Sequence, residues 1–180
     1  MKHRVTGFLF ASMMALAPMA AYADDLDEAR SRGGVSIGAD GTYFRENHAV
    51  DNGWYGGANL RFHLGPALAL EGAVDYRKDS GIDFYPAQGS LIIYLAPGYQ
   101  LSPYLVGGGT WYFADGSGVS DSRFGPHAGA GLELFLTRYL SIDASWRHLW
   151  VEDLATGDSY FNRSYSGNGD LFRGGVNFHF

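Results

Sequence analysis

The chain has no cysteine, so neither a disulfide nor a thiolate metal site holds it together. It is also short of basic residues. Thirteen Lys and Arg stand against nineteen Asp and Glu, a formal charge of −6. That balance leaves no basic face for a phosphodiester backbone. After residue 23, no apolar run is long enough to cross a bilayer as a helix. No glycine-rich loop follows a strand and opens a helix, which excludes that route to nucleotide binding. What the chain does have is 26 glycines and an aromatic share of 16%. With a mean hydropathy near zero, this suits a transmembrane β-barrel, where alternation dilutes the apolar residues.

The amino terminus reads as a secretory leader. Met1, Lys2, His3 and Arg4 give a positive start, Val5 to Ala17 is mostly apolar, and Ala21-Tyr22-Ala23 precedes Asp24-Asp25. These are the three parts of a signal peptide, with cleavage expected after Ala23. Residues 1–23 are then leader, 24–32 a short periplasmic segment, and 33–180 one folded domain. Losing Lys2 and Arg4 takes the formal charge from −6 to about −8.

Period-two alternation runs through most of that domain. Trp54, Gly56, Ala58, Leu60, Phe62 and Leu64 face one way, against Tyr55, Gly57, Asn59, Arg61 and His63. The same holds for 68–77, 124–136, 140–150 and 172–180. Segments 35–44 and 85–95 alternate less clearly, and the glycines of 104–113 hide its facing. Alternation of this length is strand behaviour, because a helix would scatter the charges around its axis. Eight strands of nine to thirteen residues suffice for tilted membrane crossings. The connections alternate too. Gly65-Pro66, 96–101 and Thr137-Arg138 are tight, whereas 46–52, 78–83, 114–122 and 151–169 are longer and polar. Short periplasmic turns opposite long external loops are the layout of outer-membrane barrels.

The two faces differ in charge. One carries no Lys, Arg, Asp or Glu within these strands, with His148 the nearest exception. The other carries Asp40, Arg61, Glu71, Asp75, Arg77, Glu133, Asp143, Arg147 and Arg173, four positive against five negative. A charge facing lipid at midplane costs about 2–4 kcal/mol, and buried charges must pair. A greasy exterior around a lumen plugged by paired ions meets both demands. A soluble barrel would reverse the faces. Aromatic residues fall at both strand ends: Tyr43, Trp54, Tyr76, Trp111, Trp146, Trp150 and Phe172 loop-side, with Phe62, Tyr104, Tyr139, Phe178 and Phe180 turn-side. Two such belts are expected at headgroup depth.

The stretch Gly129-Ala130-Gly131-Leu132-Glu133-Leu134-Phe135-Leu136, continuing through Thr137-Arg138-Tyr139-Leu140-Ser141-Ile142 to Trp146-Arg147-His148, resembles the Gly-x-Gly-x-Glu hairpin of small outer-membrane barrels. That group includes the barrel domain of outer membrane protein A and its eight-stranded relatives. The ending Val176-Asn177-Phe178-His179-Phe180 is similar to their terminal strand. The resemblance implies an all-β, eight-stranded, antiparallel up-and-down barrel inserted in a Gram-negative outer membrane. It also implies that the barrel assembly machinery reads Phe178 and Phe180 after periplasmic chaperones deliver the chain. Architecture is specific here and activity is not, because the group spans adhesins, anchors and lipid-modifying enzymes.

Eight strands enclose an interior that side chains just fill, which disfavours a general porin channel. The competing enzymatic reading is a lipid A palmitoyltransferase, for which His48 and Lys78-Asp79-Ser80 supply residue types in external loops. Nothing in the sequence brings them together, and no amphipathic amino-terminal helix precedes the barrel. The lipid A deacylase pattern places a Ser two residues after a strand His, where this chain has His148-Leu149-Trp150. His63, His127 and His179 share an inward face but lie on different strands, which reads as polar lumen filling rather than a metal site. The expectation is therefore a non-enzymatic, monomeric barrel without cofactor or metal. Its partners would be outer-membrane lipids, lipopolysaccharide or external ligands, with a role in surface contact or envelope integrity.

Overall fold

The computed structural model describes residues 34–46, 53–79, 82–116, 119–150 and 169–180. The leader, its cleavage point after Ala23 and segment 24–32 lie outside the described residues, as do His48 and Ser80. The described residues form nine strands: β1 Val35–Glu46, β2 Gly53–His63, β3 Leu68–Asp79, β4 Ile82–Phe84, β5 Ala87–Tyr94, β6 Leu101–Gly116, β7 Val119–Thr137, β8 Leu140–Leu149 and β9 Gly169–His179. Every pairing is antiparallel, and β1 pairs with both β2 and β9, so the sheet closes on itself.

The barrel has eight staves because β4 and β5 are one strand broken at Pro86. Both pieces lie between β3 and β6. Proline has no N–H to give the ladder, yet pairing continues around it. Tyr85 donates its N–H to Phe113 at 2.8 Å, and Pro86 accepts from Asp75 at 2.9 Å. The β6–β7 hairpin runs out to Gly116 and Val119, and β3–β4 leaves only 80–81 between strands. Ladders thus extend into 114–122 and 78–83, where sequence pattern alone predicts loops. Outside the bilayer a strand no longer needs an apolar outer face, so its pattern fades while its pairing persists. On the turn side, Gly98 takes φ 85° in the 95–100 connection, a left-handed conformation that side-chained residues avoid.

Facing follows the alternation. Ile37, Phe62, Leu70, Leu91, Leu132 and Ile142 are exposed on the outside. Arg61, Glu71, Glu133 and Arg147 are buried inside. On β6, Leu105, Trp111 and Phe113 point out, and Tyr104, Val106 and Thr110 point in. Tyr104 is therefore not in the turn-side belt. It is 1% exposed within the lumen, and its place there depends on glycine. A Cβ at Gly131 would collide with the Tyr104 ring, as one at Gly57 would with Asp75. Inward glycines make room for large lumen side chains.

Candidate functional site

The lumen is layered. Ala69, Ile92, Tyr94, Tyr104 and Val106 form an apolar plug towards the turn side. Phe44, Tyr55, Leu149 and Leu171 form another at the loop side, packed against Phe84 and Tyr112. Between them sits an ionic layer that these plugs screen from water.

Glu71 is its hub. Its Oε2 accepts from Arg61 Nε at 2.7 Å, and its Oε1 from Arg147 Nη2 at 2.8 Å and Arg173 Nη1 at 3.4 Å. Arg61 also reaches Asp143 at 3.2 Å and Glu133 at 3.5 Å. Arg173 pairs with Asp40, to which Asn59 Nδ2 donates at 2.9 Å. Tyrosine hydroxyls complete the acids at the turn-side plug. Tyr94 donates to Glu133 and Tyr104 to Asp143, both at 2.6 Å. Arg147 donates to Gln88 at 2.9 Å and Ser90 at 3.3 Å, and Asp75 accepts from Gln88 and Thr42, each at 3.1 Å. Such pairs are charge-assisted and their attraction grows in a dry interior.

Of the nine lumen charges predicted from sequence, eight belong to this network. The ninth is Arg77. It sits near the loop-side mouth, half-buried, its guanidinium 5.6 Å from the Tyr55 ring centre. Arg123 faces the same mouth, 9% exposed. Sequence reading missed it by starting the strand at Phe124, although continuing the alternation one step back places it on the same face as His127.

The three lumen histidines do not converge. His127 bonds Thr110 at 2.9 Å and Ser90 at 3.0 Å, whereas His63 and His179 lie at the turn-side end with ring centres 5.7 Å apart. No group of three or more candidate metal ligands occurs among the described residues. Phe178 projects from the outer face of β9 at 55% exposure, and Phe180 donates its N–H to Val35 at 2.9 Å.

Among the described strand residues, the outer face is free of charge up to the loop-side aromatic belt and carries it just beyond. Because β1, β3 and β9 extend further than the alternation shows, Arg45, Lys78 and Asp170 stand on outer faces there. Lys78 pairs with Asp83 at 3.6 Å. His148 Nδ1 donates to Asp170 Oδ1 at 2.9 Å, and Trp146 Nε1 donates to the same oxygen at 3.1 Å.

This closed barrel, greasy outside and ionic within, agrees with a family match over residues 6–180 to the outer membrane protein beta-barrel domain. The chain belongs to that family. It is therefore an outer-membrane protein. Among solved structures it is similar to the N-terminal β-barrel domain of Pseudomonas aeruginosa OprF, at TM-score 0.59 and 15% identity, covering 82% of this chain and 99% of that one. Neisserial surface protein A gives TM-score 0.60 and 16% identity, over 83% and 98%. Pseudomonas aeruginosa OprG gives 0.56 and 12%, over 82% and 95%. At these identities the likeness is one of fold. A search of curated protein sequences finds no match.

Proposed function

We propose that this family member is a non-enzymatic, sealed barrel. Its outer rim and external loops meet lipopolysaccharide or external ligands, and its presence supports envelope integrity. The observation that carries this reading is the filled lumen. Arg61, Arg147 and Glu133 are each 0% exposed, locked in ion pairs between two apolar plugs. A conducting pore would need those charges hydrated along a continuous path. The plug acts as a structural brace whose charges hold opposite staves together. Export by a leader cleaved after Ala23, delivery by periplasmic chaperones, and recognition of Phe178 and Phe180 by the assembly machinery belong to the same reading. So does action as a single copy.

Planar-bilayer recording tests it. The refolded chain is expected to give no unitary current steps in molar salt. Stable, porin-sized steps from the unmodified chain contradict a sealed lumen.

A further inference from the structure

Three ionisable side chains form one row across the outer wall. Arg45 on β1 lies opposite Asp170 on β9, and Asp170 lies opposite His148 on β8. The row below is aromatic, with Trp54 opposite Tyr43, Tyr43 opposite Phe172 and Phe172 opposite Trp146. Arg45, Asp170 and His148 each stand two residues loop-side of an outer-face aromatic, Tyr43, Phe172 and Trp146 respectively, and such aromatics gather at headgroup depth, so the charged row lies on the headgroup side of them. We propose that it is a binding site for the phosphate of an outer-leaflet lipid, with Arg45 and His148 as its ligands.

Asp170 serves as the internal brace. It accepts from both His148 Nδ1 and Trp146 Nε1 on one oxygen, and Trp150 packs edge-on against the imidazole with ring centres 4.8 Å apart. His148 is thereby held in one orientation, with Nδ1 engaged and Nε2 without a hydrogen-bond partner among the described residues. Nε2 can meet a phosphate group in either direction, donating to an oxygen or accepting from a hydroxyl. Arg45 is exposed on the other side of Asp170. Two strand spacings, about 10 Å, separate the two residues at the backbone, a gap that a long arginine side chain and one phosphate span. A guanidinium fork matches phosphate oxygens in pairs.

Beside this row an open apolar groove of about 780 Å³ runs round the outer wall, from Trp54 and Gly41 past Phe172 and Trp146 to Leu105 and Leu95. Gly41 and Gly174 lie side by side with no side chain in the way. The groove suits an acyl chain of the lipid whose phosphate is held beside it. This site deepens the proposed contact with lipopolysaccharide and rests on it.

Native mass spectrometry of the full chain in phosphatidylcholine nanodiscs tests the site, with bis-phosphorylated lipid A and its phosphate-free counterpart as probes. A heat-modifiability gel first establishes that each variant is folded. The unmodified chain is expected to prefer the phosphorylated form. Arg45→Gln and His148→Gln are each expected to lose about tenfold in affinity for it, the effect of one charge-assisted hydrogen bond. Lys78→Gln, on the outer face of β3, is expected to change little. If the preference survives both substitutions, or Lys78→Gln weakens it equally, the site is overturned while the lipopolysaccharide reading stands. If neither form of lipid A binds above phosphatidylcholine, both are overturned.

Discussion

Replacing Glu71 with Ala is expected to destabilise the folded barrel by about 3–5 kcal/mol, the effect of stranding a buried charge. Three guanidinium groups converge on this carboxylate, and they do not suffer equally. Arg173 keeps Asp40, and Arg61 keeps Asp143 and Glu133. Among the described residues Arg147 keeps only the neutral Gln88 and Ser90, so the penalty concentrates there. The double variant Glu71→Gln with Arg147→Met is therefore expected to recover most of the loss. Replacing both members of a buried pair is often neutral, whereas removing one is not. Urea titration in detergent micelles, read by the gel-shift of folded against unfolded chain, measures both variants. By contrast, Lys78 is 63% exposed beside Asp83, and removing that pair is expected to change stability by no more than about 1 kcal/mol.

The second large effect lies on the other side of the wall. Leu91 is 40% exposed on the outer face of β5, midway between Tyr85 and Leu95 on the broken stave. Leu91→Arg is expected to cost about 2–4 kcal/mol in lipid vesicles, the penalty for a cation at the bilayer midplane. Arg61, with the same guanidinium, is tolerated at 0% exposure because three carboxylates meet it. Position relative to the wall decides the sign. Should the Leu91→Arg chain prove as stable as the unmodified one in vesicle refolding, that face would lie in water.

These two positions also show how much the sequence discloses. The facing of Leu91 and the inwardness of Glu71 follow from parity alone, since a side chain two residues on returns to the same face. Parity says nothing about height. Arg147 meets Glu71 from a strand 76 residues away, and which two lumen charges share a level depends on strand tilt and register around the closed sheet. The lumen charges are thus legible as a set, but not their pairing, nor the place of Arg77 beside the Tyr55 ring near the mouth. Tyr104 was misplaced for a related reason. An aromatic near a strand end suits either the outer belt or the lumen, and Gly107, Gly108 and Gly109 gave its strand no parity. The rim charges Arg45 and Asp170 fell outside the strands because alternation weakens where the lipid ends. Pairing across the β1–β9 seam carries those strands further than hydropathy can follow.

The central claim is that the wall of the barrel, and not its interior, meets acyl chains. Because the chain has no cysteine, single cysteines at Ile93, Leu105, Leu132 and Val176 can each carry one spin label in lipid vesicles. Collision rates with dissolved oxygen and with a water-soluble nickel complex then report the surroundings of each label. The account predicts mobile labels reached freely by oxygen and scarcely by nickel at all four sites. Immobile labels shielded from both reagents would mean that these side chains fill a core, and the membrane-spanning barrel would be inside out.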